Sequence, residues 1–98
     1  MKAVIQKEFG APEVLRVAQV EKPRPGPGQV LVQVAATSVN RPDIVQRQGN
    51  YPPPPGDSDV LGLEFAGTVV EQGEGVEQWQ CGDRVMGLVG GGAYAEFA

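Results

Sequence analysis

Apolar and polar positions alternate in short runs along this chain, and proline or glycine punctuates nearly every break. "KAVIQ" (2–6) and "VLRVAQV" (14–20) read as strands, with a turn between them at "GAPE" (10–13). "EKPRPGPGQ" (21–29) is a connecting loop, because proline supplies no N–H to a helix or a central strand. "QVLVQVAATSV" (29–39) is the clearest strand, with Val30, Val32 and Val34 on one face. The pattern then changes. "NRPDIVQRQG" (40–49) predicts a short helix: Asn40 can cap it, Pro42 suits the first turn, Asp43 suits the dipole and Gly49 can end it. Ile44 and Val45 would face inward, with Gln48 beside them.

"NYPPPPGDSD" (50–59) is extended and stiff, since each proline fixes its own φ and restrains the residue before it. "VLGLEFAGTVVEQG" (60–73) predicts one or two strands, and "DRVMGLV" (83–89) another after a turn at Gly82-Asp83. "AYAEFA" (93–98) alternates like a strand. Many short strands with one helix predict a mainly β fold, a small antiparallel barrel or sandwich.

Composition narrows the function. The 98 residues are 41% hydrophobic and 20% charged, which is a globular and not a disordered balance. A core of this size is marginal by itself, and the chain stops on an apolar run, so it is expected to be a piece of something longer. Twelve acidic against eight basic residues give a net charge of −4, which argues against nucleic-acid binding. No apolar run approaches the roughly 20 residues that span a bilayer, and Gln6, Lys7 and Glu8 interrupt the N-terminal apolar stretch too soon for a signal peptide. A single cysteine, Cys81, precludes an internal disulfide; a soluble cytoplasmic protein is expected.

The absence of histidine removes Ser-His-Asp and Cys-His catalysis and the usual zinc sites. Asp57 and Asp59 lie in no EF-hand pattern. "GLEFAGTV" (62–69) has P-loop glycine spacing without the lysine, and no helix pattern follows "GGG" (90–92), so neither predicts a phosphate cradle. Past Asp59, Glu64 is the one carboxylate in "DVLGLEFAG" (59–67), a costly place unless something pairs with it.

Three stretches, in order, carry a resemblance. "MKAVIQKEFGAPEVLRVAQVEKPRPGPGQVLVQVAATSVNRPD" resembles the opening of the medium-chain dehydrogenase/reductase superfamily, "GLEFAGTVVEQGEGVEQWQCGDRV" its G-x-E-x-x-G segment with Gly-Asp-Arg-Val, and "GGGAYAEFA" the strand that follows. Within the superfamily the chain resembles the zinc-free quinone oxidoreductases, and by "NRPDIVQRQGNYPPPPG" and "LGLE" the p53-inducible type. The resemblance implies a GroES-like, partly open antiparallel β-barrel with one or two short helices over 1–98, and a Rossmann NADPH-binding domain lying outside this chain. The zinc-dependent relatives carry a cysteine ligand in the segment matching 38–43 and a histidine where Leu63 stands, so no zinc is expected.

The resemblance also implies roles. Asn40 is a candidate catalytic and cofactor-binding residue at the nicotinamide or substrate end of the cleft; as an N-cap it would serve structure, and both readings stay open. Tyr51 is a candidate catalytic residue able to stack on a quinone or nicotinamide. Asp43 is read as a first-turn dipole partner. Gly62 and Gly67 suggest close backbone approach, and Glu64 a structural carboxylate held by backbone donors or an arginine, with Arg41, Arg47 and Arg84 available. Arg41 and Arg47 are otherwise read as solvated, "PPPP" (52–55) as a rigid loop and not an SH3 or WW ligand, and Cys81 as an ordinary thiol.

The expectation is therefore a domain of an NADPH-dependent, zinc-independent reductase of quinones or α,β-unsaturated carbonyls. Alone it is expected to be inactive and to bind no cofactor. Surface that normally faces the missing domain could then drive self-association. Two other readings are a co-chaperonin-like ring subunit, which "EKPRPGPGQ" serves poorly for want of an apolar anchor, and an engineered or excised folding domain.

Overall fold

A computed structural model describes all 98 residues. β1 (Lys2–Gln6) pairs antiparallel with β2 (Leu15–Gln19), joined through a 3₁₀ turn at Pro12–Val14. β3 (Val30–Thr37), β4 (Glu64–Gln72) and β5 (Arg84–Leu88) form an antiparallel three-stranded sheet with β4 at its centre. Between β3 and β4 lies the one α-helix, α1 (Arg41–Arg47), followed by the proline-rich segment. The fold is mainly β, and its two sheets form a partial barrel.

The last residues do not form the strand that their alternation predicts. They make isolated bridges instead, Ala95 to Ala3 of β1 and Phe97 to Gln33 of β3. Backbone bonds reinforce both ends: Val4 N–H to the Tyr94 carbonyl (2.8 Å), Val34 N–H to that of Glu96 (2.8 Å), and a reciprocal pair between Val32 and Ala98. The segment crosses from one sheet to the other within a few residues. A corner of this kind ties two sheets but leaves no length for a ladder in either.

Two further expectations shift. Adjacent Leu31 and Val32 are both buried, at 2% exposure, while Val30 and Val34 are only partly covered. Consecutive strand residues point to opposite faces, so β3 is covered on both sides here; the β3–β4 register slip at this point puts its extra residue, Val70, on β4. In α1, Asp43 and Gln46 are the buried residues, Ile44 and Val45 are half-buried, and Gln48 lies exposed at the C-cap. The helix ends too early to turn Gln48 inward, and its i, i+3 pair fills that role.

The apolar core is small: Ala3, Leu31, Val32, Leu61, Val69 and Ala93. No helix is long and apolar enough to cross a membrane.

Candidate functional site

The register of the three-stranded sheet builds the site. Glu64 pairs with Leu88, Ala66 with Met86, and Ala36 with Ala66. Directly opposed residues share a face, so these side chains lie together on one side of the sheet. Ser38, two residues beyond Ala36, continues that row. The result is an open hollow of about 550 Å³, lined by Ala36, Phe65, Met86 and Leu88, with Ser38 and Glu64 as its polar edge. Met86 and Leu88 are 85% and 81% exposed, so the face is uncovered in this chain.

Glu64 opens β4, and Thr37 Oγ1 donates to its carbonyl at 2.7 Å, locking the ends of β3 and β4 together. Its carboxylate accepts a hydrogen bond from the Ser38 hydroxyl. This partner stands in place of the arginines. Arg47 Nε donates to the Gly10 carbonyl at 2.9 Å, Arg41 is exposed, and Arg84 pairs with Thr68, four residues along β4 from Glu64.

Asn40 is gripped from two sides. Its Nδ2 donates to Ser38 Oγ at 3.1 Å, which joins it to Glu64. Its backbone N–H donates to Asp43 Oδ2 at 2.9 Å, and its carbonyl accepts the Asp43 N–H at 3.0 Å. Asp43 thus closes the first turn of α1 on Asn40, as a capping-box acid does.

The same Asp43 oxygen accepts the Tyr94 hydroxyl at 2.7 Å. Tyr94 is pushed well above the usual phenol value, first by burial, then by its hydrogen bond to Asp43 and by that residue's charge. A raised folded-state value means the fold favours the protonated phenol. Its contribution to stability is complete below about pH 10, the ordinary tyrosine value, and is lost as pH rises from there through the folded value. Tyr94→Phe is expected to lower stability by about 1–2 kcal/mol at neutral pH. The gap between the two proteins should narrow above about pH 10. Urea midpoints across that range check it; a gap independent of pH would refute the assignment.

The alcohol dehydrogenase GroES-like domain matches residues 26–98. The chain belongs to that family. It is 42% identical over 101 aligned positions to a quinone oxidoreductase of Lama guanicoe, covering all of this chain and 30% of that protein. The crystal structure of human synaptic vesicle membrane protein VAT-1 homolog-like protein superposes with a TM-score of 0.90 at 36% identity, covering 100% of this chain and 32% of that one. The quinone oxidoreductase from Coxiella burnetii superposes at 0.86 with 33% identity, covering 99% and 33%. These relatives include quinone oxidoreductases of the medium-chain dehydrogenase/reductase superfamily, the superfamily that the sequence motifs resemble. The chain spans between 23% and 33% of the length of such relatives.

Within this GroES-like domain, Asn40, Asp43 and Glu64 fall into one hydrogen-bonded cluster with Ser38 and Tyr94. Tyr51 stands elsewhere: it lines a separate hollow of about 250 Å³ with Phe9, Gln46, Pro52, Pro53 and Leu61, and is 43% exposed. Gly62, at φ +106°, packs so closely that a Cβ there would come within 2.5 Å of the Tyr94 backbone nitrogen. Gly67 lies against the Gln33 carbonyl. Cys81 is exposed, and no three acidic or cysteine side chains converge as a metal-holding group.

Sequence reasoning missed Ser38 and Tyr94. Ser38 had a signal: two residues before Asn40 in an extended run, it shares that residue's side of the chain. Tyr94 had none, since its partner lies 51 residues away.

Proposed function

We propose that this chain is the N-terminal, catalytic-side domain of an NADPH-dependent, zinc-independent cytoplasmic reductase of quinones or α,β-unsaturated carbonyls. The carrying observation is the Asn40–Ser38–Glu64 chain, whose Ser38 and Glu64 form the edge of an apolar hollow, in a domain whose relatives include quinone oxidoreductases. When bound, the nicotinamide supplies a hydride to the substrate carbon or oxygen.

The residues present fit one end of such a cofactor. Ala36, Ala66, Met86 and Leu88 offer an apolar face to a flat ring. Asn40 offers a fixed polar group, held through Ser38 and Asp43, that orients a ring substituent. No glycine-rich strand-to-helix turn follows a strand here to cradle phosphates. In this reading the phosphates and adenosine belong to a Rossmann domain supplied by a longer parent. At Leu63, where zinc-dependent relatives carry a ligand, the side chain has no donor atom, which supports a metal-free reaction.

Calorimetric titration of the 98-residue chain with NADPH is expected to show no micromolar binding. A chain extended to the relatives' length should bind NADPH and oxidise it in the presence of benzoquinone. Micromolar binding by the short chain overturns the division of labour. An extended chain that binds NADPH and reduces neither quinones nor enones overturns the substrate class.

A further inference from the structure

We infer that Ser38 and Glu64 are a positioning pair that fixes which way round the Asn40 side-chain amide points. This rests on the reading of Asn40 as a residue of the cleft. An asparagine amide is nearly symmetric in shape, and a half-turn exchanges its oxygen, an acceptor, for its nitrogen, a donor. Only its hydrogen bonds decide between the two. A serine hydroxyl alone does not, because it both donates and accepts. Here the hydroxyl has one proton, and the Glu64 carboxylate, an acceptor only, takes it. Ser38 Oγ can then only accept, so the Asn40 atom facing it at 3.1 Å must be the nitrogen. The acid thus sets the polarity of the amide two bonds away without touching it.

The backbone supports this lock. Thr37 pairs with Phe65, and the next step of the antiparallel register sets Ser38 opposite Glu64. The Thr37 hydroxyl clamps that step through the Glu64 carbonyl. On the other side, Asp43 holds the Asn40 N–H at 2.9 Å, so the residue cannot swing to follow a flipped amide. Ser38 and Glu64 both border the hollow, and Asn40 is joined to that edge through its bond to Ser38.

Glu64→Gln is the decisive variant, since it keeps the shape and adds a donor. The new carboxamide can donate to Ser38, which frees the hydroxyl proton to donate to Asn40 and lets the amide turn over. In the 98-residue chain, NMR should show the Asn40 side-chain NH₂ with cross-peaks to the Ser38 β-protons. Those cross-peaks should weaken in Glu64→Gln, as the second orientation becomes populated, be lost in Ser38→Ala and be kept in Ser38→Thr. Unchanged cross-peaks in Glu64→Gln, or none in the parent sequence, overturn the inference whatever the enzyme does.

In an extended chain, Glu64→Gln and Ser38→Ala should lower kcat by about tenfold, with KM within about twofold and Ser38→Thr restoring the rate. A loss of stability with kcat unchanged would also overturn it, because the pair would then be structural only. An extended parent that reduces no quinone or enone defeats the functional reading instead, and the NMR result still decides the lock.

Discussion

Gly67→Ala is expected to break the three-stranded sheet apart. Gly67 sits in the central strand opposite Val34, beside a slip in the β3–β4 register. A Cβ there would overlap the Gln33 carbonyl and come within 2.7 Å of Val32 Cγ1. Where a flexible side chain is the obstacle, overpacking costs about 1–3 kcal/mol. Here the obstacle is main chain, and β3 cannot retreat. On its far edge Val32 and Ala98 exchange backbone bonds of 2.8 and 2.9 Å, and Val34 donates to Glu96 at 2.8 Å. Moving β3 off β4 would tear that corner and with it the tie to β1.

A loss of about 3 kcal/mol or more is therefore expected, out of the roughly 5–15 kcal/mol typical of a domain. Urea denaturation followed by circular dichroism measures it. A midpoint equal to that of the parent sequence would show that the sheet has slack the geometry denies.

How far the fold was legible follows from what each signal depends on. Strand β1 and the helix start were readable because alternation, a capping residue and Pro42 act within a few residues. The burial of both Leu31 and Val32 was not, since it depends on what covers each face of β3, and its sheet partner β4 starts more than thirty residues later. The last six residues alternate as a strand should, yet two sheets compete for them and neither wins a ladder.

The site divides the same way. Asn40, Asp43 and Glu64 stood out because each is polar at a place with a local reason or a local cost. Their partners did not. Ser38 reaches Glu64 across 26 residues, and Tyr94 reaches Asp43 across 51. A lone carboxylate in an apolar run invites the search for a cation. At Glu64 the fold answers with a hydroxyl, a neutral group with one proton to give, which a charge-matching argument passes over.

Asp43→Ala is expected to destabilise the domain by about 3 kcal/mol, while Asp43→Asn stays within about 1 kcal/mol of the parent sequence. The contrast follows from where the hydrogen bonds land. Asp43 is only 2% exposed, and both its donors, the Asn40 N–H and the Tyr94 hydroxyl, meet the same oxygen, Oδ2. Its other oxygen has no protein partner. Alanine leaves two donors without an acceptor, each at a cost of about 1–3 kcal/mol, less what is recovered by no longer burying an anion. Asparagine keeps one carbonyl oxygen with two lone pairs, enough for both donors.

The phenol should report the difference directly. Removing the charge removes one of the influences that raise Tyr94, so its titration should move part of the way back toward the ordinary value in Asp43→Asn, leaving burial and the retained hydrogen bond. Ultraviolet titration reads that shift, and urea midpoints read the stabilities. If asparagine proves as damaging as alanine, the negative charge itself holds the first turn of α1, and Asp43 acts on the helix dipole as well as on its two donors. If alanine proves harmless, Asn40 is not held from this side, and its place in the cleft depends on Ser38 alone.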